Sequence, residues 1–108
     1  MDSSHKVIVT DSAVSLSNLN EDPVHLFFKG ILDAEIINST VYVLTELEII
    51  SVDIESSTHE IVALNRNQLS DISVTESTIW GVSNQFGGVY RHTLGQSSDD
   101  MEFTKIDF

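Results

Sequence analysis

A chain of 108 residues holds one domain at most, and its 41% hydrophobic content is ordinary for a folded protein. Seventeen carboxylates against five Lys and Arg give a formal net charge of -12. That balance repels a phosphate backbone and an anionic leaflet alike, and argues against direct nucleic-acid binding.

Cysteine is absent, so neither a disulfide framework nor a thiolate site exists. Val, Ile and Thr are abundant, and helix-favouring runs of Ala, Leu, Glu and Lys are missing. β-branched side chains lose little on a pleated surface and more in a helix, so the expectation is all-β. Met1 to Lys6 lead into only Val7–Thr10 before Asp11. This is neither a signal peptide nor a membrane span, and the expected location is cytoplasmic.

Lys6–Thr10 and Ala13–Ser17 read as two strands around an Asp11-Ser12 turn, followed by a connector of turn formers from Asn18 to Pro23. Val24, Phe27, Phe28, Ile31 and Leu32 stand at helical spacing behind Asp22 and Pro23, a cap and a first helical position. The repeat described below favours a strand there. Further strands are expected at Ile36-Ile37, Thr40–Thr45, Leu47–Ile54 and His59–Leu64. The series continues with Leu69–Thr75, Thr78–Ser83, Gly88–Leu94 and Glu102–Phe108, and Gly95–Asp100 is its least structured interval.

A shift of 38 residues aligns Val24–Thr45 with Val62–Ser83 without a gap. Asp33 meets Asp71, Ser39-Thr40 meets Ser77-Thr78, Val41 meets Ile79 and Tyr42 meets Trp80. Shorter echoes lie at both ends: Val9–Val14 resembles Ile36–Val41, and Glu102–Ile106 resembles Glu60–Leu64. A repeat near 40 residues with four short strands predicts antiparallel four-stranded blades of an incomplete β-propeller. The expected division is a partial blade over 1–22, blades over 23–58 and 59–98, and the start of another at 99–108. A small self-contained β-sandwich is the alternative.

Leu69-x-x-Ile72-Ser73-Val74, then Ile79-Trp80-Gly81-Val82-Ser83-Asn84, then Gly87-Gly88-Val89-Tyr90-Arg91 resemble the tectonin β-propeller repeat. That family's pattern is an Ile-Ser-Val strand, a Val-Trp-Gly-Val-Asn strand and turn, and a Gly-x-Ile/Val-Tyr strand. The likeness covers one blade, from Leu69 to about Ile106, and departs at Glu76-Ser77, where the family carries a Gly-bearing turn. The resemblance implies a toroid of blades used for binding. Family roles divide between protein scaffolding in membrane traffic and autophagy and lectin-like recognition of sugars. A weaker likeness to chromosome-condensation-regulator repeats implies a third role, in a small-GTPase exchange factor.

No motif of catalysis is present. His5, His25, His59 and His92 form no metal-type pair, and no nucleophile elbow, phosphate-cradling Gly loop or calcium loop occurs. Neither catalytic, metal nor cofactor-binding residues are therefore assigned, and an enzyme is not expected. Asp99, Asp100 and Glu102 read as a solvated loop, and Asn38-Ser39-Thr40 as a turn. Trp80, Asn84, Tyr90 and Arg91 are the candidate ligand-binding residues, although Trp80 is more simply a core or blade-interface anchor. The expected partner is a protein, with carbohydrate as the alternative ligand. Two full blades cannot close a ring, so self-association or further blades outside the chain are also expected.

Overall fold

The computed structural model describes residues 5–18, 21–75, 77–94 and 102–106. Among the described residues eleven strands build three antiparallel sheets, and each of these strands pairs only with its neighbours in sequence. The first sheet comprises β1 (His5–Val9), β2 (Ala13–Asn18) and β3 (Glu21–Phe27). The second comprises β4 (Ile31–Ile37), β5 (Thr40–Thr45), β6 (Glu48–Asp53) and β7 (His59–Leu64). The third comprises β8 (Asp71–Val74), β9 (Thr78–Val82), β10 (Val89–Thr93) and β11 (Thr104–Lys105). No helix occurs among the described residues. The protein is all-β, as its β-branched composition predicts.

The middle sheet is covered on both faces. Side chains alternate across a strand, so Val41 and Val43 point one way from β5, and Tyr42 and Leu44 the other. Val41, Val43, Ile50 and Val52 pack with Val14 and Leu16 of the first sheet. Leu44, Ile49 and Ala63 pack with Ile72, Val74, Ile79, Tyr90 and Phe103 of the third sheet and its flank. Burial on both faces explains why β5 and β6 read as near-continuous apolar runs instead of alternating ones. The sheets thus stack face to face in chain order, spanning 48 × 25 × 23 Å.

Two devices join the second sheet to the third. Asn65, buried in the connection from β7 to β8, donates through Nδ2 to the carbonyls of Thr45 and Leu69, at 2.9 and 3.3 Å. Its Oδ1 accepts from the Leu69 backbone N–H at 2.9 Å, which leaves this buried amide with both ends satisfied. Leu69 in turn fills the space beside Gly81, where an added Cβ would meet Leu69 Cδ1 at 2.6 Å. Glycine is therefore favoured there by close packing against the Leu69 side chain, not by its backbone angles.

Val24–Leu32 forms no helix. Val24 and Phe27 belong to β3, while Ile31 and Leu32 open β4 after a turn at Gly30 with φ of +66°. The expected division at 22/23 and 58/59 is corrected by one strand. β3 bonds to β2 and closes the first sheet, and β7 bonds to β6 and closes the second.

The Val9–Val14 echo is corrected as well. Thr10 Oγ1 accepts from Ser12 and Ala13 N–H and donates to the Ala13 carbonyl. Thr45 Oγ1 does the same with Leu47 and Glu48. Thr75 Oγ1 also donates to the Thr78 carbonyl at the β8–β9 turn, so the order of strands decides. The chain leaves β3 for the second sheet as it leaves β7 for the third. The β1–β2 hairpin thus corresponds to β5–β6, and the first sheet contains the second, third and fourth strands of the unit among the described residues. The connector residues 19 and 20 and the segment 95–101 lie outside the described residues, as do Asp99 and Asp100 of the acidic stretch.

Candidate functional site

Strand alternation sends Ile72, Val74, Ile79 and Tyr90 inward to the middle sheet and leaves Asp71, Ser73, Trp80, Val82, Val89 and Arg91 on the outer face of the third sheet. The pairing register arranges the outer residues in two rows. Asp71, Val82 and Val89 lie side by side across β8, β9 and β10, and Ser73, Trp80 and Arg91 form the next row. Val82 is 39% exposed, and Trp80 is half-buried. The Arg91 guanidinium carbon stands 5.9 Å from the Trp80 ring centroid, at the edge of cation–π range.

Of the four candidate residues, Trp80 and Arg91 therefore share a face. Asn84 lies at the nearby turn from Ser83 to Gly88, exposed, with its backbone N–H donated to Ser70 Oγ at 3.0 Å. It borders a hollow of about 290 Å³ with Glu46, Gln68 and Gln85. Tyr90 is separated from them: it is buried in the core on the opposite side of the sheet. Trp80 itself stands outside the buried core clusters; Gly81 faces inward in its place.

A second concavity, of about 540 Å³, opens where the second and third sheets diverge, lined in part by Tyr42, Ser51, Asp53, His59, Glu60 and Leu94. Burial raises the Tyr42 phenol above its usual value. His59 rests edge-on against Phe28, with ring centroids 5.5 Å apart, and so has an apolar neighbour on one side. His92 is buried, Nδ1 lying 3.2 Å from the Glu102 carbonyl oxygen, while the Glu102 carboxylate pairs with Arg66 at 3.0 Å on the surface. Among the described residues no group of three His, Asp or Glu side chains is placed to hold a metal ion.

The residue that sequence reading passed over is Asp33. Its Oδ2 accepts a hydrogen bond from the Ile72 backbone N–H at 2.9 Å, across the gap between sheets. β8 is an edge strand, so this carboxylate satisfies an N–H that no strand partner takes. The signal was present in the repeat, where Asp33 aligns with Asp71.

No family model matches the chain, and no curated protein matches it. A solved structure from S. cerevisiae, described as a Dbp5 variant bound to Nup159, a Gle1 variant, IP6 and ADP, contains a chain of similar fold. The TM-score is 0.63 at 15% identity. The match covers 95% of this chain and 28% of that one, a likeness of fold alone.

Proposed function

We propose that this chain is a non-enzymatic binding scaffold, part of a tectonin-like β-propeller that presents sheet faces and turns to a protein partner. The observation that supports the reading is the repetition itself. β4–β5 and β8–β9 match at an offset of 38 residues, and each pair opens a four-stranded meander stacked on the one before. A cytoplasmic setting in membrane traffic or autophagy is what the tectonin resemblance adds.

Lectin-like binding is the second reading, favoured by a half-buried Trp80 with Arg91 beside it and the exposed Asn84 nearby. Aromatic faces bordered by polar groups suit a sugar ring. Affinity capture with wild-type, Trp80→Ala and Arg91→Glu chains, run beside a glycan array, separates the two. A defined protein retained by wild type and lost with Arg91→Glu supports the scaffold. A saccharide bound only when Trp80 is present replaces it with the lectin, and retention of neither removes both.

A further inference from the structure

The interface between the second and third sheets is a template for another, and we propose that the outer face of the third sheet receives a further four-stranded sheet of the same repeat. Asp71 is its acceptor for an edge-strand N–H. The inference rests on the repeat-scaffold reading and adds to it a location, an occupant and a recognition group.

Corresponding residues carry the argument. On the second sheet, the row facing the third sheet is Asp33, Leu44, Ile49 and Ala63, set side by side by strand pairing. On the third sheet the matching row is Asp71, Val82 and Val89. The next row, Glu35, Tyr42 and Ser51, corresponds to Ser73, Trp80 and Arg91. Leu44 and Ile49 are fully buried because the third sheet covers them, whereas Val82 stands 39% exposed.

Asp71 occupies the place of Asp33 and is exposed. Asp33 reaches across the gap to the N–H of Ile72, on the first strand of the following sheet. A following sheet stacked in the same way would bring its own first-strand N–H to Asp71. The aliphatic pair Val82 and Val89 and the Trp80 ring would then lie where Leu44, Ile49 and Tyr42 lie in the existing interface.

The opposite end of the stack is not an equivalent occupant. On the outer face of the first sheet, Ile8, Ser15 and His25 lie in one row, with Lys6 and Ser17 in the next. The corresponding middle-sheet positions are the buried Val41, Val43, Ile50 and Val52. That face is mixed, with Ser15 Oγ bonded to His25 Nδ1 at 2.7 Å beside exposed Ile8 and Phe27, and it does not reproduce the aliphatic face of the middle sheet. The first sheet also contains no described strand equivalent to β8. The occupant is therefore a complete repeat sheet, not the first sheet of a second copy.

The test extends the full chain with a duplicate of residues 65–106 placed after Ile106. The duplicate of residues 65–70 then makes the connection that already carries β7 into β8. Trp80→Phe is introduced in the added unit only, so that emission reports the original Trp80. Docking predicts a blue shift of that emission, a loss of acrylamide quenching, and strand content that rises in proportion to length.

Asp71→Ala in the original unit should lower Tm by about 2–4 °C in the extended chain and leave the unextended chain unchanged. Asp71→Asn, which keeps a carbonyl acceptor, should restore most of the difference. Asp33→Ala should lower Tm in both. Trp80 equally quenched in both lengths, an added unit that stays unfolded, or Asp71→Ala acting alike in both lengths would overturn the proposal. Concentration-dependent association of the unextended chain, abolished by Val82→Lys, would assign the face to a second copy and overturn it too. None of these readings depends on an external partner, so the scaffold reading can fail in capture experiments while this one stands.

Discussion

At the scale of single residues, space and not polarity governs the region around Trp80. Gly81 lies where the Leu69 side chain must pass, so Gly81→Ala is expected to destabilise the fold by about 1–3 kcal/mol, the usual cost of overpacking. Urea denaturation with an unchanged slope would check it; a neutral substitution would mean that Leu69 moves freely.

Trp80 gives the opposite case. It lies on the outer face with Arg91 as a neighbour, so Trp80→Ala should cost about 1 kcal/mol. Leu44→Ala, fully buried between two sheets, should cost about 2–5 kcal/mol. The order of the two midpoints is the measurement, and a larger loss from Trp80 would place it in the core after all.

At the scale of elements, strand identity was readable and strand grouping was not. β5 and β6 announced themselves through β-branched runs bounded by Asn38-Ser39 and the turn after Asp53. Val24 to Leu32 showed a helical period because two strand ends meet around Gly30, which places apolar residues from different faces at intervals of three and four. Whether β3 belongs with β2 or β4 depends on which hydrogen bonds form, and local pattern carries little of that information. For the same reason Tyr90 and Arg91 read as one patch, although consecutive strand residues face opposite sides. The repeat marked Asp33 by aligning it with Asp71, but its acceptor role depends on how the second and third sheets stack, which the local pattern does not encode.

Burial of Tyr42 belongs to this scale because the third sheet supplies much of its cover. Its folded-state pKa is raised above the ordinary tyrosine value of 10.0, so the unfolded chain deprotonates first. The folded state then holds more protons, and stability falls as pH rises past the unfolded value. Tyr42→Phe should flatten that alkaline decline without altering stability at neutral pH by the same route. Melting curves between pH 8 and about 11 would show it, and parallel declines in both proteins would contradict it.

For the whole molecule, three sheets stacked in a row leave two ends of unequal character. The middle sheet is covered on both sides by separate clusters, whereas each outer sheet contributes only one covered face. Native-state hydrogen exchange should therefore show Val41–Leu44 and Ile49–Val52 opening only with global unfolding, and β1 and β11 opening far more readily. Equal protection across all three sheets would indicate a single cooperative block. The surplus of twelve negative charges acts on the same scale, as a repulsion between molecules that opposes association through exposed Phe27 and Leu47.

Every strand pairs with the strand just before or just after it, and that order has a consequence for how the fold is reached. Each meander can close from a short length of chain, so little loop entropy is lost before pairing begins. During synthesis, the first sheet can form before the second has left the ribosome, and the second before the third. The commitments that must wait are the stacking contacts and the Asp33–Ile72 bond, whose partners are 39 residues apart. This order favours zipping before docking, and a late defect in the third sheet should leave the pairing within the earlier sheets able to form.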